Sequence, residues 1–447
     1  MASAIQVPEL TDMQKRLTFL LITFIAVLVI TYSCSQLRES SKQPALAIAP
    51  DNGSISLPDG FSAVVVADSL GRGRHIAVNG NGDIYIKLRG VEEGKGGIAA
   101  LRDNNGDGQA DQIDYFDDLG GTGIAIQNDF LYYASDSAVF RKPLDGNLVP
   151  QAPRDTIVIG LPSQRNHAAK PITFDGAGNL YVNVGAPSNA CQEEDRQLGS
   201  PAMDPCPYLE LQGSVWRFSD SKFNQTQQVE GYKYSTGIRN MVALEWNAGA
   251  GALYGVQHGR DMLNTLYPNQ YDNEGNAELP SEEFYRFEDG GDYGWPFCYY
   301  DHIKGKKVLA PEYGGDGEVQ DRCADVGQPI MGFPAHIAPN DLLFYSGNLF
   351  PERYKGGAFI AFHGSWNRAP LPQKGYFVVF VPFENGMPSG DWEIFADNFA
   401  GEPGAELRSP RAAEFRPTGL AEGPDGSLYV VDSNRGRVWR IVYSPPA

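Results

Sequence analysis

GNLYVNVG, residues 178–185, sets β-branched and aromatic residues in alternation behind a Gly-Asn turn, which predicts a strand entered from a tight turn. The same pattern recurs as GDIYIKL around Tyr85, DFLYYAS around Tyr132, GALYGVQHG around Tyr254, GAFIAFHG around Ile360 and GSLYVVDS around Tyr429. Successive repeats lie 47, 49, 73, 106 and 69 residues apart. The shortest intervals match the ~40–50 residues of a four-stranded propeller blade. Six units predict an all-β, six-bladed β-propeller, and the longer intervals predict insertions. The last repeat continues into GRVWRIVY, a strand running almost to the C-terminus and placed to pair with FSAVVVA (Phe61 to Ala67) and close the ring.

Composition agrees with a ring. The 447 residues exceed the ~100–200 of one ordinary core, a difficulty that a closed set of blades removes. Glycine (51) and proline (31) are about 18% of the chain, against roughly 12% on average. Together with 22 Tyr and 23 Phe this argues against a helical bundle. With 55 acidic and 36 basic side chains the net charge is -19, which sets up no attraction to phosphate backbones or anionic lipid. A nucleic-acid role is excluded on that ground.

Lys15 and Arg16 precede an uncharged stretch, Leu17 to Tyr32, and the next charge is Arg38. Residues 1–33 read as a lipoprotein signal peptide or a single membrane anchor, 34–58 as a linker and 59–447 as the propeller. Ser33-Cys34-Ser35 offers a lipidation site at Cys34, the preferred reading, although Thr31 stands where such sites usually carry Leu. Either way the domain after Cys34 is exported, periplasmic or at the cell surface. Four further cysteines, Cys191, Cys206, Cys298 and Cys323, are an even number in an oxidising compartment. Nearest-neighbour pairing, Cys191–Cys206 and Cys298–Cys323, is one of three connectivities and the one favoured by short loop closure. Both pairs fall inside the long intervals. A zinc site lacks any Cys-x-x-Cys or paired-His spacing.

The phase of the repeats points at a site. Arg74, His167, Arg239 and Arg416 stand 11, 14, 15 and 13 residues before the repeat tyrosines Tyr85, Tyr181, Tyr254 and Tyr429. Similar phase places them where innermost strands begin, at one mouth of the channel. A scattered surface arginine explains any one of them, but four in register at a concave mouth mark a seat for a small polyanion. His363 and Arg368, in HGSWNR, reach the same region, with Trp366 as an aromatic lid over a flat ligand. His258, in VQHGRD, serves equally as a loop filler. His167, in RNHAAKP, is the candidate base.

A second signal is metal. DNNGDGQADQID offers Asp103, Asn105, Asp107, Gly108, Gln109, Asp111 and Asp114 at positions 1, 3, 5, 6, 7, 9 and 12 of a calcium loop, with Asp for the usual Glu at 12. The plainer reading is an acidic turn between strands. No helical pattern flanks it, so the expectation is a calcium-stapled hairpin with a structural role.

The motifs ALRDNNGDGQAD, NHAAKPITFDGAGNLYVNVGAPSN, GIRNMVAL, HGRDML, DYGWPFC, FIAFHGSWNR and FRPTGLAEGPDGSLYVVD, in this order, resemble the pyrroloquinoline-quinone (PQQ) dependent sugar dehydrogenases, specifically the sorbosone dehydrogenase-like group and more distantly soluble glucose dehydrogenase. The resemblance covers roughly Phe61 to Tyr443. It implies a six-bladed propeller with PQQ flat over the channel mouth and a calcium ion at its quinone edge. It makes His167 the catalytic base, Arg239 and Asn240 the cofactor-contacting pair, and Arg416 a further cofactor arginine. It assigns the backbone carbonyls of Gly259 and Arg260 to calcium. PQQ carries three carboxylates, the small polyanion that the phased arginines require.

Two positions depart from that pattern. Glucose-oxidising members place an acidic residue before the base, where this chain has Asn166. Their cofactor-contacting lysine has no aligned counterpart, so His363, Arg368 or Lys170 would take its place. The resemblance implies oxidation of an aldose, sorbosone or pyranose-type sugar. No Cys-x-x-Cys-His haem motif occurs, so electrons would leave to an external carrier such as a cytochrome or quinone. The alternatives are a lactone-hydrolysing propeller with a channel metal, for which Asp432 and Asn183 are the main available ligands, and a non-catalytic propeller that binds glycan or protein.

Overall fold

In the computed structural model the described residues are 11–14, 45–401 and 406–445. The chain divides into two units, Met1–Ala45 and Leu46–Ala447. In the first, residues 11–14 form a single turn in which the Gln14 N–H donates to the Thr11 carbonyl. The export stretch and Cys34 lie outside the described residues. Among those described, no helix is long and apolar enough to cross a membrane.

The second unit is built on six four-stranded antiparallel sheets. The first blade runs Gly73–Val78, Ile84–Leu88, Ile98–Arg102, Gln112–Phe116, and the second Ile124–Gln127, Phe130–Ala134, Val139–Pro143, Asp155–Val158. The third has Ile172–Phe174, Asn179–Val184, Ser214–Ser219 and Tyr232–Thr236; the fourth Met241–Asn247, Ala252–Gln257, Glu282–Phe287 and Met331–Phe333. The fifth has Pro339–Phe344, Ala358–Phe362, Phe377–Val381 and Glu393–Ala396. The sixth combines Pro417–Glu422, Leu428–Asp432 and Val438–Tyr443 with Phe61–Ala67. Phe61 pairs with Tyr443 and Val65 with Trp439, so the early strand closes the ring as its sequence predicts. An edge that would otherwise be open is thereby hydrogen-bonded.

Every repeat position lies on the second strand of its blade, and Tyr85, Tyr132, Tyr181, Tyr254, Ile360 and Tyr429 are all buried. These large side chains stand between sheets, where burying an aromatic contributes about 2–3 kcal/mol. Of the segment 34–58 expected as linker, the part from Leu46 onward is packed on the propeller. Ile48 bridges to Val64 and Ser56 to Asp397, and the Gly53 carbonyl accepts from the indole N–H of Trp439. A side chain at Gly53 would collide with Val65 and Trp439, and its φ of 67° is a conformation glycine adopts without cost.

Both predicted disulfides form, Cys191–Cys206 and Cys298–Cys323, with Cα separations of 6.1 and 5.6 Å. The first ties the long loop between the second and third strands of blade three. The second lies in an insertion of blade four, which starts by adding Gly291–Asp292 in parallel to the outer edge of blade three. The two insertions meet where Trp295 packs with Cys191 and Cys206 and the Tyr313 hydroxyl donates toward the Ala190 carbonyl. This wall rises beside the channel mouth.

Candidate active site

Because each blade's inner strand begins at the same end of the ring, residues just before it converge. Arg74 lies in the first inner strand, His167 five residues before the third, Arg239 two before the fourth and Arg416 one before the sixth. They line a two-lobed cavity. The larger lobe, about 590 Å³, is bordered by Arg72, Arg74, Arg89, Arg165, Arg416, His258 and His363. The smaller, about 340 Å³, is bordered by Arg196, Arg239, Gly259, Asp261, Glu282 and His336. Arg165, His167, Asn240, His258, Ala338 and Trp366 line both. Trp366, 56% exposed, borders both lobes.

His167 is held in a defined state. Its φ of 53° is left-handed, and its ring Nδ1 lies 2.6 Å from the Ala186 carbonyl oxygen. Nδ1 therefore carries the proton and Nε2 keeps its lone pair. Burial, then the charge of Arg239, pushes the imidazole well below its ordinary pKa, so it is neutral at pH 7. Gly185 makes room for it: a Cβ there would stand 2.9 Å from the His167 Cβ and carbonyl oxygen.

Arg239 is 3% exposed and is fixed at three points. It donates to the Gly259 carbonyl (2.9 Å), to the Asn189 side chain (3.0 Å) and to Asp261 (2.7 Å). Asp261 also accepts from Arg196 and from the Asn367 amide, and despite burial the charges of Arg239, His336 and Arg196 hold its carboxyl well below the usual range. The neighbouring Asn240 keeps a buried Oδ1 with no hydrogen-bond partner among the described residues. An acceptor left unpaired beside a cavity fits a bound group that donates or a cation. Glu282 accepts from the backbone N–H groups of Gly259 and Ala338, and burial raises its carboxyl to about 8.

The histidines differ in availability. His363 engages the Ser433 hydroxyl through Nε2 (2.7 Å), and His258 engages the Pro339 carbonyl (2.7 Å). His258 thus lines both lobes and is more than a filler. Arg416 donates to the carbonyls of His363 (3.1 Å) and Gly364 (2.6 Å), which aims it along the cavity wall.

Some expected residues are elsewhere. Arg368 lines neither lobe: it is 2% exposed, donates to the carbonyls of Ala277 and Ala335, and pairs with Glu278 at 2.8 Å. A buried guanidinium satisfied by these partners is a structural brace. Lys170 is buried with Nζ on the Ala168 carbonyl. Gly259 lines the smaller lobe, whereas Arg260 lines neither and pairs with Glu312. Asp432 is occupied by the backbone N–H groups of Arg416, Asn434, Arg435 and Gly436, and the Asn183 amide donates to the Met241 carbonyl. Asp432 is thus taken up in holding a loop, whereas Asn183 keeps a buried Oδ1 with no partner among the described residues.

In the acidic loop, Asp103 accepts from the backbone of Asn105, Gly106 and Gly108, and Asp111 from Asn104 and Asn105. Asn105 accepts from Asp107 N–H, and Asp107 from Gln109 N–H. Gly108, at position 6, has the φ of 90° that such a turn requires. Asp114 sits on the following strand with its carboxylate on Gln112. Among the described residues no three His, Cys, Asp or Glu side chains gather as a metal cluster.

Arg72, Arg89, Arg165 and Asp261 were not singled out by the repeat phase. Arg72 and Arg165 each stand two residues before a phased residue, and Asp261 closes the HGRD motif, signals present in the sequence.

The TrAA12-like family profile matches residues 55–444. The chain belongs to the TrAA12-like family. This bears out the resemblance to PQQ-dependent sugar dehydrogenase propellers. A PQQ-dependent pyranose dehydrogenase of Coprinopsis cinerea is 25% identical over 427 residues, 87% of this chain and 54% of that protein. The chain thus spans about half the length of the curated relatives of that name. Among solved structures, the holo PQQ domain of the C. cinerea pyranose dehydrogenase shares the fold at 20% identity and a TM-score of 0.68, covering 90% of this chain and 99% of that one. A Trichoderma reesei family AA12 carbohydrate-active enzyme does so at 20% identity and a TM-score of 0.70, covering 90% and 100%.

Proposed function

We propose that this protein oxidises a sugar of the aldose, sorbosone or pyranose type with PQQ as electron acceptor. The observation that carries the reading is His167: a neutral imidazole, fixed through Nδ1, between two lobes lined by arginines. When bound, PQQ supplies a quinone that takes the hydride leaving the sugar carbon, and a calcium ion at its edge adds Lewis acidity. Arg74, Arg239, Arg416, His363 and Asn240 are the residues that would hold its three carboxylates and ring polar groups. Arginine forks suit carboxylates bidentately. The Gly259 carbonyl and the orphaned Asn240 Oδ1 are oxygen donors of the kind a hard cation takes.

His167 would accept the hydroxyl proton at Nε2 as the sugar C–H bond breaks, so that a C=O bond forms and the product is a lactone or acid. The imidazolium formed would be favoured by the charge of Asp261 and opposed by that of Arg239. Trp366, which lines both lobes, would stack over a flat ligand and limit water there. Two electrons would then pass to an external carrier. The domain would work outside the cytoplasm, held by Cys34 lipidation or an uncleaved helix. Its two disulfides support an oxidising compartment. A structural calcium ion at Asp103, Asn105, Asp107, Gln109, Asp111 and Asp114 belongs to the same proposal, supported by the spacing of the loop.

The test is to add PQQ and Ca²⁺ to purified apoprotein and follow dye reduction with a panel of sugars. His167→Ala should abolish turnover and leave PQQ bound by absorbance. Lack of PQQ binding by the wild-type protein would overturn the reading, and activity surviving in His167→Ala would reassign the base.

A further inference from the structure

The larger lobe is lined by arginines that the residues proposed for the cofactor do not include. Arg89, Arg196 and Arg239 already have carboxylate partners in the chain: Asp136 for the first and Asp261 for the other two. Arg72, Arg74, Arg165 and Arg416 line the larger lobe with no carboxylate ion pair among the described residues. Arg74 and Arg416 are in the cofactor's proposed set, which leaves Arg72 and Arg165.

Their placement is specific. Arg72 and Arg89 stand side by side at the top of blade one, where the Arg89 N–H donates to the Arg72 carbonyl. Asp136 grips Arg89 through both oxygens, at 2.8 and 3.1 Å, and so is taken. Arg74 lies beneath them with a buried Nε that has no partner among the described residues. Burial, and then the repulsion of Arg89 and Arg72, lowers its pKa to about 10. Arg165 is exposed at the opening, two residues before His167, and borders both lobes. Arg72 is likewise exposed at the rim. Both line the lobe that His167 also lines. Like charges gathered on a concave wall are disfavoured until an anion shares them.

We propose that the sugar accepted here carries an anionic group, as a hexuronate does, held by Arg72 and Arg165 while its reacting hydroxyl lies at His167. The inference rests on the redox reading above and adds to it the substrate class. Guanidinium forks take carboxylate and phosphate alike, so the two sources must be separated by experiment. The substituent is a spectator; the bonds that change are those at the oxidised carbon.

The experiment compares kcat/KM for glucuronate, galacturonate and glucose 6-phosphate with glucose and galactose, using enzyme loaded with PQQ and Ca²⁺ at low and at 0.5 M salt. The expected result is a preference of about tenfold or more for the uronates at low salt, reduced by salt. Arg165→Gln and Arg72→Gln should each lower the uronate-to-neutral ratio about tenfold, chiefly through KM. Preference for glucose 6-phosphate over the uronates would assign the site to phosphate. Equal or better use of neutral sugars, or a ratio unmoved by both substitutions, would overturn the proposal while leaving the redox reading intact. Calorimetry on cofactor-free protein supplies a readout that does not need turnover: glucuronate should bind more tightly than glucose and lose that advantage in Arg165→Gln. If PQQ fails to bind, the redox reading falls, and the calorimetric comparison still decides the anion site.

Discussion

Nδ1 of His167 lies 2.6 Å from the carbonyl oxygen of Ala186, two residues beyond the end of the adjacent strand. One hydrogen bond fixes both the tautomer and the direction of the free nitrogen. Burial, and then the charge of Arg239, penalises protonation, so the base stays ready without a carboxylate partner of its own.

This gives a pH dependence. With the folded-state pKa lowered well below 6.5, the imidazole remains neutral as pH falls through 6.5, and proton uptake begins only at more acidic pH. The acid limb of kcat/KM should lie below pH 6.5. A limb at or above that value contradicts the assigned environment.

Gly185→Ala should damage catalysis more than stability. Its Cβ would press on the His167 backbone at 2.9 Å and approach Asn240 Oδ1 at 3.3 Å. Turnover should drop at least tenfold with a small change in melting temperature, read by dye reduction and calorimetric scanning.

Asp261→Asn removes the charge that orients Arg239 and Arg196 inside the protein. Breaking a buried pair from one side costs about 3–5 kcal/mol. Both the melting temperature and PQQ affinity should fall, whereas Asp136→Asn, which frees Arg89 at the larger lobe, should spare the Arg239 contacts. Cofactor titration of the two variants distinguishes them.

Opening Cys191–Cys206 by Cys191→Ser with Cys206→Ser frees a loop of 15-residue separation. Loop closure of that length contributes about 3 kcal/mol. Because the loop packs on Trp295, proteolysis should begin there, and mass mapping of the first cleavage checks it.

For the acidic loop, Asp107→Ala removes one acceptor of a backbone N–H whether or not calcium binds. The informative quantity is the difference between melting temperatures in Ca²⁺ and in chelator. It should be positive for the wild type and shrink in the variant, with the initial rate unchanged; no difference in the wild type removes calcium from this loop.

Much was legible in the linear chain. Repeats such as GNLYVNVG carry strand periodicity, an aromatic that must be buried and a turn glycine, and each of these acts over a few residues. Ring closure by Phe61–Ala67 and the convergence of Arg74, His167, Arg239 and Arg416 follow from counting, because blades repeat and equal phase means equal position, while the disulfide pairing follows from short loop closure among three connectivities. Tertiary structure decided what side chains of the same type do. Arg368 shares a motif with His363 yet turns into the protein to meet Glu278, while Arg72 and Arg165 remain open at the mouth. Asp432 was a possible metal ligand in sequence and is consumed by four backbone N–H groups in the fold. The loops after the strands differ in length and partners, and a long flexible side chain goes wherever burial, charge and open hydrogen bonds are best satisfied together. That balance is set across blades that are distant in sequence, so only the folded ring determines it.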